Sequence, residues 1–297
     1  MREDCQMGPV LLSVGEILWD QYPEYRLLGG APFNLAAHAA RLGFASYLIS
    51  AVGDDEAGDE AIRQAKALGV NVTYTRQCPV WKTGIVDVQL DDHGHPSYHL
   101  RRPSAWEEPE LSTSQAAALK ALWPAWVACG TLQQTCHKAR AVRMALRGIP
   151  LFYDVNLRPG FEDPLTVDEL LRAATIVKCN DAELDWMARE FELFGDPAEA
   201  LLRRFPMTAL CVTLGADGCR IYANGETVYE RPPAITAIDT VGAGDAFSAA
   251  ALYGFTKGWP LDRTARFANA LGSLVASRRG AIPDWTFEEI YTAANLQ

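Results

Sequence analysis

The sequence contains no Cys-x-x-Cys pair, no early Gly-x-Gly-x-x-Gly, no Gly-Lys-Ser/Thr and no apolar run close to the ~18 residues of a membrane span. Each absence removes a class. The seven cysteines, Cys5, Cys78, Cys129, Cys136, Cys179, Cys211 and Cys219, are odd in number and lack metal-ligand spacing. That argues against a zinc ribbon or a disulfide framework and predicts a reducing, cytoplasmic setting. Without an early dinucleotide fingerprint, an NAD-dependent dehydrogenase loses its main support, and without a Walker A loop so does a P-loop nucleotidase. The segment Met1 to Gln6 carries Arg2, Glu3 and Asp4 with no apolar stretch behind a basic patch, which predicts no signal peptide. In that setting Asn71-Val72-Thr73 is a chance glycosylation match.

Basic residues are also scarce. Lys plus Arg number 27 against 37 Asp plus Glu, a formal charge of -10. Such a surface repels nucleic acid and anionic membranes. A single nucleotide can still bind, because Mg²⁺ and local backbone dipoles neutralise its phosphates. Internal repeats, low-complexity tracts and interdomain linkers are absent too. What remains is ordinary globular composition, 49% hydrophobic and 22% charged over 297 residues, with ample apolar surface for a core.

The pattern along the chain is that of an α/β protein. Val10 to Val14 and Tyr47 to Val52 read as buried strands, and Ala31 to Leu42 as a helix with Pro32 near its start and Gly43 just past its end. Asp59 to Leu68 reads as an amphipathic helix. A turn-rich stretch separates the first strand from Gly29-Gly30. Thr83 to Leu100 reads as a β-hairpin turning at Asp91 to His95. Strands are then predicted at Trp126–Cys129, Leu151–Val155, Ile176–Cys179 and Leu210–Leu214. Helices are predicted at Ser114–Leu122, Thr135–Arg147, Thr166–Ala174, Ala182–Phe191, Pro197–Arg204, Asp245–Thr256 and Leu261–Arg278, with a hairpin or edge at Gly225–Ile235. Alternation of this kind implies βαβ units, a parallel sheet and helices on both faces. Ligands of open parallel sheets sit at the carboxyl ends of the strands. The polar residues there are Glu16 and Asp20, Gly130 and Thr131, Asn156 and Arg158, Asn180 to Glu183, and Gly215 to Gly218.

One segment decides the chemistry. In Asp239-Thr240-Val241-Gly242-Ala243-Gly244-Asp245-Ala246-Phe247, two glycines precede an apolar helix. They let the backbone approach a ligand and turn its N–H groups outward, and the helix adds its positive end. The result is an anion hole suited to a phosphoryl group in flight. Asp245 lies in the first turn, where its carboxylate can accept the proton of an attacking hydroxyl. A lone Asp in that place would be read as a helix-dipole residue; the flanking glycines change the reading.

As a whole this segment resembles the signature of ribokinase-like (pfkB-type) carbohydrate kinases. Four further stretches match in the same order: Gly29-Gly30-Ala31-Pro32-Phe33-Asn34-Leu35-Ala36 with Arg41-Leu42-Gly43, Val52-Gly53-Asp54-Asp55-Glu56-Ala57-Gly58, Asn180-Asp181-Ala182-Glu183, and Val212-Thr213-Leu214-Gly215-Ala216-Asp217-Gly218. The resemblance implies a three-layer αβα sandwich with a mostly parallel central sheet and a small β-lid. It implies one kinase domain over residues 1–297, with lid segments at about 18–28 and 82–103, and a homodimer built through the lid. Asp245 would be the base, with Gly242, Ala243 and Gly244 forming the anion hole.

Asp20, Gly30 and Asn34 would bind the sugar, and Arg158 the transferred phosphate or an acidic end of the substrate. Asn180 and Glu183, also readable as a capping pair, would organise Mg²⁺ and phosphates through water. Thr213, Gly215, Gly218 and Asn269 would line the ATP site, and Asp239 with carbonyls near Thr240 and Gly280 would suit K⁺. Gly15-Glu16 with Asp20, Gly-Gly-Ala-Pro and Arg-Leu-Gly most resemble bacterial fructokinases, which makes D-fructose the expected acceptor. The alternatives are a kinase for ribose or 2-keto-3-deoxygluconate, and a non-catalytic sugar-binding regulator. Phe33, His38 and Thr131 depart from the family pattern. His38 is expected to pack on its helix and His93, His95 and His99 to be exposed. Trp19, Tyr22, Tyr25, Trp81, Tyr98 and Trp106 are expected either to stack on a sugar or to fill the lid.

Overall fold

The computed structural model describes residues 8–90 and 96–296. In chain order they form β1 (Val10–Val14), β2 (Leu18–Gln21), β3 (Arg26–Gly29), α1 (Ala31–Arg41), β4 (Ala45–Gly53), α2 (Glu56–Ala67), β5 (Thr75–Cys78), β6 (Gly84–Leu90), β7 (Pro96–Leu100), α3 (Thr113–Lys120), β8 (Trp126–Gly130), α4 (Thr131–Gln134) and α5 (His137–Ala145). There follow β9 (Leu151–Asp154), α6 (Pro164–Ala173), β10 (Ile176–Asn180), α7 (Asp181–Glu190), α8 (Pro197–Arg204), β11 (Ala209–Thr213), β12 (Cys219–Ala223), β13 (Glu226–Glu230), α9 (Ala243–Thr256), α10 (Leu261–Ala276) and α11 (Phe287–Ala293). No helix among the described residues is long and apolar enough to cross a membrane. The six described cysteines are thiols; Cys5 lies outside the described residues.

The chain divides into two compact units. One comprises the residues through Val127 together with Lys138–Ile149. Its main-sheet strands run in the order β8-β1-β4-β5, with β1, β4 and β5 parallel. The same unit carries a separate four-stranded sheet, β3-β2-β6-β7, which is the small β-lid expected from the sequence. The other unit comprises Ala128–His137 and Pro150–Gln297. Its strands run β13-β12-β11-β10-β9-β8, parallel from β9 to β11 and antiparallel from β11 to β13. The fold class is the expected one, a three-layer αβα sandwich with a mostly parallel sheet. Most of its parallel strands are rich in apolar residues because both faces are covered: β1 and β9 are buried at every residue.

Several sequence expectations need correction. The turn-rich stretch before Gly29-Gly30 is the antiparallel pair β2 and β3. The helix expected over Thr135–Arg147 is α5; the short helix α4 before it was not foreseen, and it is set off from α5 where the Thr135 hydroxyl and the Cys136 amide close a turn on the carbonyls of Leu132 and Gln133. The hairpin expected over Gly225–Ile235 starts earlier, as β12 and β13. Its two loop residues, Asn224 and Gly225, have φ of 54° and 78°, the left-handed pair that a tight Asn-Gly turn requires. Strand β5 and helix α11 were not foreseen. The turn at Asp91–His95, with His93 and His95, and the side chain of Tyr98 lie outside the described residues. His99 is exposed, and His38 is fully buried on α1.

The lid is tied to its own unit by a cluster of polar contacts around Asp55. Asp55 caps α2 through the Gly58 amide, at 2.8 Å, and also accepts from the Thr83 amide at 3.0 Å and the Thr83 hydroxyl at 2.6 Å. The Thr83 hydroxyl in turn accepts from the Gly53 amide at 2.9 Å. Thr83 is the residue before β6, so the Gly53-Asp54-Asp55 stretch sets where that strand begins. Strand β2 is pinned to the same turn, because the Trp19 indole donates to the Ala57 carbonyl at 3.0 Å. Trp19 and Trp106 fill this region from inside, 2% and 0% exposed, and Arg26 lies over the Trp19 ring. Tyr22 and Tyr25 stack on each other, with ring centres 4.6 Å apart. Of the alternatives for these aromatics, filling the lid is the one met by the two tryptophans.

Burial works against the charge on Asp55, but the Thr83 and Gly58 donors outweigh it and hold the carboxyl below its ordinary pKa. The stability it contributes is complete above the ordinary aspartate value and is lost as pH falls through the lower folded value. Thr83→Val removes a buried hydroxyl that both donates and accepts, which costs about 1–3 kcal/mol. Urea denaturation at neutral pH should show that loss, and the gap between variant and wild type should narrow under acid. An unchanged midpoint would mean that Asp55 does not anchor the lid strand.

Candidate active site

Each unit brings together one group of the residues singled out in the sequence. In the first, the strand-to-helix step from β3 into α1 sits beside the end of β1. Gly30 caps α1 with φ of 109°, and a Cβ there would stand 2.4 Å from the Glu16 carbonyl oxygen, so only glycine fits. The Asn34 amide closes the first helical turn on the Gly30 carbonyl at 2.8 Å. Ser13 donates to the Pro32 carbonyl at 2.7 Å, and Gly15 lies flat against the Pro32 ring. These contacts fix the start of α1 against β1. Asp20, on β2, carries its carboxylate over Gly29, since a Cβ added there would meet Oδ2 at 2.4 Å. Asp20 is half-buried, whereas Glu16 and Asn34 are buried, each 4% exposed. A carboxylate thus lies over a glycine step whose Gly30 admits no side chain, with Asn34 in the helical turn that follows, a setting able to read neighbouring hydroxyls.

In the second unit, the glycine loop leads into α9. Gly242 is its N-cap, in the left-handed region at φ 77°. A Cβ there would collide with Ala281, at 2.6 Å from its Cα. Asp239 braces the loop from below. One carboxylate oxygen accepts from the Val241 amide at 3.0 Å and the other from the Gly280 amide at 2.9 Å. The Ala243 amide donates to the Thr240 carbonyl at 3.3 Å, and Gly244 and Asp245 follow in the first turn. First-turn amides have no intrahelical acceptor and project from the helix end with the positive pole of its dipole. Helix α9 has 14 residues and is buried without a break from Ala246 to Leu252, which anchors this end.

Asn180 and Glu183 stand at the end of β10 and form the capping box that the spacing allows. The Glu183 amide donates to Asn180 at 2.7 Å, and the Asn180 amide returns a bond to Glu183 Oε2 at 2.8 Å. Glu183 Oε1 accepts from the Leu157 amide at 2.9 Å, which fixes the turn where Asn156 adopts φ of 38°. Burial pushes the Glu183 carboxyl up; Lys178 pulls it down and Asp154 pushes it up again. Arg158, two residues past Asn156, is exposed and makes no ion pair with the described residues. Thr213 ends β11, and Gly215 and Gly218 turn the chain into β12 with φ of 57° and 94°. A Cβ on Gly218 would stand 2.1 Å from the Glu230 carbonyl oxygen, to which the Asn269 amide also donates at 2.9 Å. Gly218 and Asn269 therefore meet at one point of the β13 end. Thr131 bonds the Tyr153 hydroxyl at 2.6 Å beneath the strand ends.

Sequence reasoning overlooked Lys178. It lies in the otherwise apolar run Ile176–Cys179, is 6% exposed, and pairs with Asp154 Oδ1 at 3.0 Å. A lysine inside a strand expected to be buried on both faces was the available signal. Burial opposes its charge, but Asp154, Glu183 and Asp245 together raise its pKa.

With this geometry in view, the comparisons with known proteins are direct. The profile of the pfkB family carbohydrate kinases matches residues 25–287. The fructokinase of Klebsiella pneumoniae is 30% identical over 301 residues, covering 93% of this chain and 96% of that protein. An uncharacterized sugar kinase of Pyrococcus horikoshii, solved in complex with ATP, superposes with a TM-score of 0.81 at 26% identity and covers 96% of this chain and 99% of its own. A fructokinase of Vibrio cholerae, solved with fructose, ADP and calcium ion, gives a TM-score of 0.81 at 25% identity, covering 97% of this chain and 99% of its own. The matched span includes the glycine step of α1 and the glycine loop of α9, and the chain belongs to the pfkB family of carbohydrate kinases.

Proposed function

We propose that this kinase transfers the γ-phosphoryl group of ATP to a primary hydroxyl of D-fructose, with Asp245 as the general base. The observation that carries the reading is the α9 terminus. A left-handed Gly242, packed on Ala281 in a loop that Asp239 braces, starts a helix whose first turn holds Gly244 and Asp245. A carboxylate beside an anion hole is what hydroxyl phosphorylation needs and a passive sugar sensor does not.

The hydroxyl's proton passes to Asp245 as its oxygen attacks the γ-phosphorus and the bond to the leaving ADP oxygen breaks. The amides of Gly244 and Asp245, with that of Ala243, lower the cost of charge on the phosphoryl oxygens. Asp20, Gly30 and Asn34 hold the sugar, and Arg158 has the free reach to meet the transferred phosphate. Thr213, Gly215, Gly218 and Asn269 form the nucleotide-side set. Fructose is favoured over other acceptors by the relatedness to the Klebsiella pneumoniae fructokinase along nearly the whole chain. The lid sheet is our candidate for a dimer interface.

Among the described residues, no three His, Cys, Asp or Glu side chains gather into a metal-binding cluster. Both oxygens of Glu183 already take backbone N–H bonds. This donor set fits a Mg²⁺ ion that travels with the nucleotide and keeps its waters, with Asn180 and Glu183 meeting it through them. Bound there, the ion would neutralise phosphate charge. Asp239 is our candidate for a K⁺ site.

Two measurements test the reading. ADP release from MgATP, with D-fructose and a panel including ribose and 2-keto-3-deoxygluconate, should show turnover on fructose. Asp245→Asn should reduce kcat by roughly 10²–10⁴-fold, the usual contribution of a general base; near wild-type turnover would remove Asp245 from that role. Activity confined to another panel member would keep the mechanism and replace the substrate. Asp20→Asn should raise the sugar KM about tenfold or more and leave the ATP KM unchanged, since a good polar contact to substrate contributes about 1.5–3 kcal/mol. Equal effects on both constants would count against a sugar-binding Asp20.

A further inference from the structure

The Lys178–Asp154 pair is costly and calls for a reason. Both side chains are 8% exposed. They lie at the same register on the adjacent parallel strands β9 and β10, so they share one face of the sheet. A buried pair of this kind is often no more stabilising than apolar residues of the same size, and the strand around Lys178 is otherwise apolar. The pair is placed with respect to the glycine loop. A Cβ added to Gly244 would stand 3.2 Å from Lys178 Nζ, so the ammonium lies directly against the backbone of the first turn of α9. The other oxygen of Asp154 accepts from the Ser248 hydroxyl at 2.8 Å, and that hydroxyl is 2.9 Å from the Gly244 carbonyl. Asp154 therefore connects the cation on β10 to the helix whose end carries Asp245.

Charge balance gives the arrangement its sense. Three carboxylates, those of Asp154, Glu183 and Asp245, act on Lys178. Without a cation, this part of the molecule would be a poor place to bring the γ-phosphoryl group of a nucleotide. Gly244 is the position at which a side chain would come between the ammonium and the helix end, and it has none.

We infer that Lys178 is a positioning residue for phosphoryl transfer: locked by Asp154 beneath Gly244, its ammonium sets the first turn of α9 and supplies positive charge to the anion hole from the protein side. This rests on the kinase reading of Asp245. The ammonium does not touch the phosphoryl group, and its effect reaches it through the Gly244 and Asp245 backbone. Its contribution should thus appear in the transition state, where charge on the transferred group must be stabilised, and not in ground-state binding of either substrate.

The test uses Lys178→Met, which keeps length and removes charge, and the double variant Asp154→Asn/Lys178→Met, which also removes the partner charge and so leaves no uncompensated buried ion. Both are assayed on whichever panel sugar the wild-type protein phosphorylates. The expected result is a kcat lowered roughly 100-fold, as for loss of one anion-hole donor, with sugar and ATP KM values within about threefold of wild type. Calorimetry should show MgADP binding as to wild type and a loss of the additional affinity that aluminium fluoride confers on the MgADP complex. If either variant folds and keeps kcat within threefold, the inference is overturned while the kinase reading stands. If the KM values rise and kcat does not fall, or if neither variant folds, Lys178 is structural and the inference is overturned. A wild-type protein that phosphorylates no sugar would overturn the kinase reading itself, and this inference with it.

Discussion

A lysine ammonium held under a glycine in the middle of a parallel sheet is the constraint around which the second unit is organised. Once Lys178 is charged and out of water, Asp154 must lie beside it, because the pair shares a register on neighbouring strands. Asp154 needs a second donor, and Ser248 supplies it from α9. Helix α9 is thereby fixed in rotation against the sheet, which determines where its first turn faces. A Cβ at Gly244 would crowd the ammonium at 3.2 Å, and glycine leaves that approach open. Glu183, close enough to feel the same cation, is held by two backbone amides at the β10 end. The first turn of α9 is thus supported by a network in which Lys178, Asp154 and Ser248 partner one another, as a buried network must.

The first unit solves a different problem. A four-stranded sheet of short strands has little core of its own and needs anchorage. Asp55 provides it by capping α2 and holding Thr83 with the same carboxylate, while Trp19 reaches the same first turn of α2 with its indole. A stretch that resembles a family signature, Gly53-Asp54-Asp55, therefore has an architectural role: it supports the lid. The Gly29-Gly30 step differs again. There the absence of side chains lets β1, β2 and α1 come together, and it leaves Asp20 next to bare backbone.

Much of this was legible in the chain. Apolar runs located the parallel strands because those strands are covered on both faces, and Pro32 and Gly43 marked α1 because their backbone preferences are local. The hairpin β12–β13 was displaced in the reading although Asn224-Gly225 was its strongest local signal; the polar strand Glu226–Glu230 hides its partner's pattern. Helix α4 was missed because Thr131–Gln134 is a single turn, too short to show a helical period, whereas α5 falls inside the helix that the sequence predicts. Among the site residues, Asp245 and its glycines were readable because they are contiguous. The convergence of Gly218 and Asn269 on the Glu230 carbonyl was not, since 51 residues separate the first two in the sequence.

What the sequence determined by itself is therefore local and contiguous: strand and helix types, the glycine steps, the capping box of Asn180 and Glu183, and the carboxylate at the start of α9. These depend on backbone preferences and short-range hydrogen bonds, which act over a few residues. The tertiary structure alone decided that Lys178, Asp154 and Ser248, as well as Asp55 and Thr83, would be partners. Their energy comes from pairing buried charge and polar groups away from water, and such pairing is satisfied by whichever residue the fold brings within 3 Å, at any distance along the chain.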